Sequence, residues 1–215
     1  MDMKVKVCGM KHPDNIKAIA DLKIDYMGFI FYEKSPRFAE VPVELPERIQ
    51  KVGVFVNESI ELILEKVGSF GLDIVQLHGH ETTVFCEELN QALAKAGHAE
   101  VKLWKVFSIK TASDFEGIEA YSFYVHGYLL DTKGQYRGGN GEKFDWQLLD
   151  KQNFSKPVML SGGIGPEDAA EVSQLYSQGL IAGVDINSGF EEAPGLKKET
   201  EIHKFLQNLR TYEQV

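Results

Sequence analysis

The sequence predicts an α/β fold: a compact, single (β/α)8 barrel of eight parallel strands with outer helices. Three observations predict it. Short apolar runs recur eight times, their first residues 22 to 30 positions apart. None of these runs alternates cleanly with polar residues, so both faces of the sheet they form are covered. Helical spacing fills several of the intervals, and a strand–helix rhythm of about 25 residues is that of a parallel sheet.

The runs cover residues 5–8, 27–31, 52–56, 74–77, 103–107, 128–131, 158–161 and 184–186, each rich in Val, Ile, Leu or Phe. Residues 58–67 place Ile60, Ile63, Leu64 and Val67 on one helical stripe, and 82–96 do the same with Phe85, Leu89, Ala92 and Leu93. Gly165-Pro166-Glu167-Asp168 is a helix start, with proline in the first turn and acids beside it. That helix is expected to run over 166–179 and stop at Gly179. A last amphipathic helix is expected over 196–209. An open doubly wound sheet is the alternative, but it has fewer strands and a glycine-rich loop after the first. Here the first run is followed by Gly9-Met10-Lys11. Length suits a barrel, typically about 250 residues with a floor near 200. No low-complexity linker divides the chain, so residues 1–215 are expected to form one domain.

The chain carries a net charge of -9. It shows no basic cluster, which argues against nucleic acid as a partner. A small anionic ligand remains compatible, because local dipoles and one or two basic residues make a local positive site. Two cysteines, Cys8 and Cys86, do not make a disulfide scaffold. No apolar run is long enough to span a bilayer and no signal-peptide pattern opens the chain, so a cytoplasmic location without membrane partners is expected. Monomer and homodimer both remain open.

In such a barrel chemistry sits at the C-terminal ends of the strands. The polar residues expected there are Cys8, Arg37, Gln76, His78, Asp131, Ser161, Asp185 and Asn187. Ser161-Gly162-Gly163-Ile164-Gly165 follows the seventh run and Asn187-Ser188-Gly189 the eighth. These are the usual phosphate loops of barrels, where backbone N–H groups meet an anion; alternatively the glycines only make tight turns. Cys8 is either a small buried hydrophobe or a base or nucleophile, which requires a thiolate and hence a lowered pKa. Asp131, behind two leucines, is either a cap or ion-pair partner of Lys133, or an acid/base group. Cys86 reads as core. Arg37 suits a planar carboxylate, or a surface ion pair with Glu33 or Glu40. His78-Gly79-His80 resembles a metal pair, but no third ligand completes a set, so no metal is expected. Lys105 is either a Schiff-base amine or a structural lysine reaching the barrel end.

Seven segments in order carry a resemblance to the phosphoribosylanthranilate isomerase family. They are Lys6-Val7-Cys8-Gly9-Met10; Gly28-Phe29-Ile30-Phe31 with Ser35-Pro36-Arg37; Val52-Gly53-Val54-Phe55-Val56-Asn57; Val75-Gln76-Leu77-His78-Gly79; Leu130-Asp131 with Gly138-Gly139-Asn140-Gly141 and Phe144-Asp145-Trp146; Leu160-Ser161-Gly162-Gly163-Ile164; and Val184-Asp185-Ile186-Asn187-Ser188-Gly189-Phe190-Glu191. The resemblance implies a (β/α)8 barrel that performs an Amadori aldose-to-ketose rearrangement in tryptophan biosynthesis. It implies Cys8 as general base, Asp131 as general acid and Arg37 as the anthranilate carboxylate partner. Gly162, Gly163, Ser188 and Gly189 are implied to hold the phosphate of a sugar-phosphate substrate. Gln76, His78 and Asp185 are expected to contact the substrate as well. Two departures stand out: Asn140 where the family commonly has threonine, and Asn187 where it commonly has serine. No cofactor is expected, because the protonated imine formed on ring opening is its own electron sink. The rivals are a Schiff-base aldolase or synthase using Lys105, a non-catalytic phosphate-binding barrel, and a scaffold.

Overall fold

The computed structural model describes residues 3–132 and 143–213, with no description of the side chains of residues 212 and 213. Eight strands close a barrel in chain order: β1 (Lys4–Val7), β2 (Tyr26–Ile30), β3 (Gln50–Phe55), β4 (Ile74–Leu77), β5 (Lys102–Ile109), β6 (Gly127–Thr132), β7 (Val158–Ser161) and β8 (Gly183–Ile186). All eight neighbouring pairs are parallel, and β8 closes on β1 with Asp185 opposite Lys6. Their uninterrupted apolar character follows from this closure, since one face meets the barrel interior and the other the helices.

Among the described residues, five α-helices flank the strands: α1 (Pro13–Ala20), α2 (Ile60–Phe70), α3 (Thr83–Lys95), α4 (Ala169–Ser177) and α5 (Glu199–Glu213). Their ends obey local chemistry. Ser59 and Thr82 cap α2 and α3 by accepting from the Leu62 and Phe85 N–H groups, which satisfies donors a helix start leaves open. Gly71 ends α2 in the left-handed region at φ +62°, a conformation cheap only for glycine. Ile63, Val67 and Phe70 of α2 and Leu89 and Leu93 of α3 are buried in the strand–helix layer. Each such side chain contributes about 1.5–3 kcal/mol on burial.

The helical layer is uneven. Residues 31–49 connect β2 to β3 without a helix; among the described residues, two 3-10 turns lie between β5 and β6 and one between β6 and β7, with no α-helix. Helix boundaries differ from the sequence reading: α2 extends to Phe70 rather than 67, α4 stops at Ser177 and α5 runs on to Glu213, and the starts of α4 and α5 are both later than read. Residues 166–168 form a 3-10 turn before α4, because the Asp168 carboxylate accepts the Gly165 N–H and tightens the start. The amphipathic stretch at 196–209 does not begin as a helix. Leu196–Lys197 is a strand, β10, paired antiparallel with β9 (Glu191–Ala193) across a turn where Gly195 has φ +85°. Asn15 of α1 bonds both backbone groups of Lys197 and holds it extended, so the helix starts at Glu199.

Inside the barrel, Val52, Ile74, Trp104, Val106, Leu129 and Met159 form a separate apolar cluster, with Tyr26 packed against it. Tyr26 and Trp104 meet edge to face at 5.0 Å. This plug fills the interior and leaves the C-terminal end to polar side chains.

Candidate active site

Because side chains along a strand alternate faces, the residue two positions after each plug residue also points inward, nearer the C-terminal mouth. Ile74 is followed by Gln76, Leu129 by Asp131 and Met159 by Ser161. Together with Cys8, Asp185 and the loops after β2, β4, β7 and β8, these residues line a cavity of about 530 Å³. That volume suits a small ligand. Of the residues singled out from the sequence, Cys8, Arg37, Gln76, His78, Asp131, Gly162, Gly163, Asp185, Ser188 and Gly189 line this cavity, whereas Lys105 and His80 do not. Ile30, Pro36 and Val54 supply apolar walls on the Arg37 side.

At the floor of the cavity Lys6, fully buried, donates from Nζ to Asp185 Oδ2 at 2.8 Å. Burial alone would lower the ammonium, but Asp185 and Cys8 together hold Lys6 above its ordinary value. Burial pushes the Cys8 thiol up, against the pull of the hydrogen-bonded Lys6 ammonium. A thiolate at Cys8 requires a lowered value; burial acts the other way, and Lys6 is the largest influence opposing it. Gly28 makes the meeting possible. A Cβ there would stand 2.7 Å from Cys8 Sγ and 3.0 Å from Lys6 Cε. Burial likewise pushes the Asp185 carboxyl up, against Lys6. Asp185 Oδ1 and Gln76 Oε1 are buried and take no hydrogen bond among the described residues. Buried polar atoms of this kind are costly unless a partner arrives.

Across the cavity, His78 Nε2 lies 3.2 Å from Asp131 Oδ2. Asp131 packs on the loop after β7: at Gly162, φ +84°, a Cβ would stand 2.5 Å from Asp131 Oδ1. Gly163 follows at φ +72°, and a Cβ on Gly189 would strike the Ile164 carbonyl oxygen. The two glycine loops therefore touch backbone to backbone, which concentrates main-chain N–H groups beside one wall.

Several sequence alternatives are decided by these contacts. Arg37 pairs with neither Glu33 nor Glu40. Its Nε and Nη2 bind the Glu191 carboxylate at 2.7–3.0 Å. Lys105 is not on the cavity wall. It is buried, donates to the carbonyls of Leu77, Gly79 and Val106, and lies 3.2 Å from Glu81, which makes it a structural lysine and removes the Schiff-base rival. His78 turns to Asp131, whereas exposed His80 is tied through its N–H to Asn57. Cys86 is buried in α3, its thiol pushed up to about 11 by burial. The Gly138-Gly139-Asn140-Gly141 motif and Lys133 lie outside the described residues.

Three residues of the site were missed from the sequence. Lys6 sits two residues before Cys8, and strand alternation alone puts both on the inner face. Glu191 closes the last resemblance segment but, like Lys197, was given no role, because only the β9–β10 hairpin brings the two to Arg37.

A closed parallel barrel with a polar C-terminal mouth, an acid and a thiol facing one cavity, and paired glycine loops defines a sugar-phosphate barrel enzyme in form. The comparisons specify it. A family model for N-(5'-phosphoribosyl)anthranilate (PRA) isomerase matches residues 5–208, and the chain belongs to that family. It is 42% identical to the N-(5'-phosphoribosyl)anthranilate isomerase of Parabacteroides distasonis, over 96% of this chain and 93% of that one. Among solved structures, the phosphoribosyl anthranilate isomerase of Thermotoga maritima superposes with a TM-score of 0.83 at 31% identity, covering 97% of this chain and 99% of that one. A further isomerase, solved in complex with reduced 1-(o-carboxyphenylamino)-1-deoxyribulose 5-phosphate, gives a TM-score of 0.79 at 29% identity over 97% and 99% of the two chains.

Proposed function

We propose that the cavity converts N-(5'-phosphoribosyl)anthranilate into 1-(2-carboxyphenylamino)-1-deoxyribulose 5-phosphate, with Cys8 as general base and Asp131 as general acid. The observation that carries the assignment is that Cys8, at the end of β1, and Asp131, on β6, line one cavity. Those strands are three steps apart in the closed order, so the two groups approach a bound sugar from different sides. The reduced-product complex of a related isomerase supports a ligand of this class.

Asp131 donates its proton to the ribose ring oxygen as the C1–O bond breaks, and the anthranilate nitrogen lone pair forms the C1=N bond. The resulting cation acidifies the C2 hydrogen. Cys8, as thiolate, removes that proton, and the C–H electrons form C1=C2 while the nitrogen regains its lone pair. The enolamine then tautomerises to the ketone by losing the C2 hydroxyl proton and gaining one at C1. The substrate supplies its own electron sink, so no cofactor enters these steps. Lys6 and the nearby imine cation both favour the thiolate. His78, 3.2 Å from Asp131, orients the acid.

The Gly162-Gly163 and Ser188-Gly189 backbones hold the phosphate. Arg37 holds the anthranilate carboxylate, with the ring against Ile30, Pro36 and Val54. Unpartnered Asp185 Oδ1 and Gln76 Oε1 accept from ribose hydroxyls. The setting is a cytoplasmic step of tryptophan biosynthesis. The test is a fluorescence assay of phosphoribosylanthranilate consumption by wild type, Cys8→Ala and Asp131→Asn. Turnover by the wild type and its loss in both variants is the expected result; near-wild-type turnover in either variant would refute that residue's role.

A further inference from the structure

The barrel mouth contains a buried ionic cluster, centred on Lys197 and Glu191, of which the steps above use only Arg37. The Lys197 side chain on β10 is wholly shielded from solvent. Its Nζ donates to Asn187 Oδ1 and to Glu191 Oε1, each at 2.6 Å. Glu191 also accepts from Arg37 Nε and Nη2 and from the Gly195 N–H at 3.0 Å. Burial lowers the Lys197 ammonium and Glu191 opposes that; with both basic groups charged, two cations share one carboxylate and the cluster carries one positive charge in excess. Excess charge removed from water is unfavourable until an anion completes it.

The placement is directional. Arg37 and Asn187 line the cavity, and Lys197 stands behind both. Arg37 faces the carboxylate end of the proposed ligand; Asn187 immediately precedes Ser188-Gly189 at the phosphate end. A Cβ on Gly9 would stand 2.7 Å from Arg37 Cδ and 2.9 Å from Asn187 Oδ1, so the two side chains converge beside the loop that follows Cys8.

We propose that Lys197 is a positioning residue that, through Glu191 and Asn187, sets the spacing between the Arg37 guanidinium and the Ser188–Gly189 loop. The excess positive charge of its cluster is the complement of an aromatic carboxylate. The proposal rests on Arg37 as the carboxylate partner. Glu191 occupies the Nε–Nη2 edge, so the ligand meets the Nη1–Nη2 edge, where no described residue accepts from Nη1.

The test is a cycle of steady-state kinetics with phosphoribosylanthranilate on wild type, Lys197→Met, Arg37→Met and the double variant, with thermal melting of each. Lys197→Met is expected to raise KM about tenfold and change kcat less than about twofold, the pattern of lost uniform binding. Arg37→Met is expected to raise KM about a hundredfold, and the double variant to be no worse, because residues acting through one another are non-additive. Inorganic phosphate, as competitive inhibitor, should bind about threefold more weakly to Lys197→Met. An unchanged KM in folded Lys197→Met, or KM effects that multiply in the double variant, would overturn the proposal. If Lys197→Met does not fold, Glu191→Asp, which retains the charge but retracts the carboxylate, takes its place in the cycle: a raised KM that does not multiply with Arg37→Met supports the proposal, and an unchanged or multiplying KM overturns it. A wild-type protein without isomerase activity would overturn the functional reading itself, whereas an active wild type with additive variants overturns only the positioning role.

Discussion

Within the same strands, the floor and the mouth of the barrel interior differ by two residues and by everything else. On β4, β6 and β7 the floor presents Ile74, Leu129 and Met159, sealed into one apolar cluster. One inward step further, the same strands present Gln76, Asp131 and Ser161 to a cavity. The floor closes by dispersion and burial alone. The mouth is built from ion pairs, orphaned acceptors and glycines that let backbones touch. Rigidity below allows cost above: the plug and the continuous sheet hold Lys6, Asp185 and Cys8 together although burial disfavours the charge each would carry.

The contrast breaks most visibly at the mouth. Cys8→Ala and Asp131→Asn should each lower kcat by about 10²–10⁴, the range of acid–base groups, with melting temperatures near wild type. Loss of folding instead would move these residues to the structural side of the comparison. On the floor the reverse is expected. Leu129→Ala should cost about 2–5 kcal/mol of stability in a denaturant titration, while turnover of the folded fraction persists. A large fall in kcat with stability intact would show that the plug shapes the chemistry.

Lys6 lies between the two regimes and sharpens the comparison. The Cys8 thiol is raised by burial and held back by Lys6, so the base is active only as pH climbs. The kcat/KM profile, which reports the free enzyme, should therefore rise with pH on a limb above the ordinary thiol range. Lys6→Met removes the opposing cation and should move that limb higher still. A limb at unchanged pH would show that the ammonium does not act on the thiol.

At the rim the effects are smaller. Arg37→Lys should raise KM about tenfold, since a lysine cannot reproduce the planar fork, with kcat little changed. Smallest of all is an acid-side stability effect. Burial would raise the Glu191 carboxyl, but Arg37 and Lys197 more than offset it and hold it below the ordinary 4.5. A depressed carboxyl stabilises the fold fully above its unfolded value, and that contribution fades as pH falls through the folded one. Melting of the wild type should thus decline more steeply below pH 4.5 than melting of Glu191→Gln; parallel curves would refute it.

Eight apolar runs at regular spacing, and polar residues at their C-terminal ends, were enough to specify a parallel barrel and to gather ten cavity residues. That information is local: strand alternation and the rule that loops after strands carry chemistry act within a few residues of each position. The same locality explains the failures. Residues 196–197 have amphipathic helical spacing, yet Asn15, far away in sequence, claims their backbone and makes them a strand. Arg37 has acidic neighbours at Glu33 and Glu40, yet it binds Glu191, 154 positions away. The sequence by itself determined the periodicity, the barrel class and the family, because these are written in short-range pattern and motif. Tertiary structure alone decided who pairs with whom at the mouth and that Cys8 is desolvated, because partner choice and burial arise only when the closed sheet brings distant segments together and excludes water.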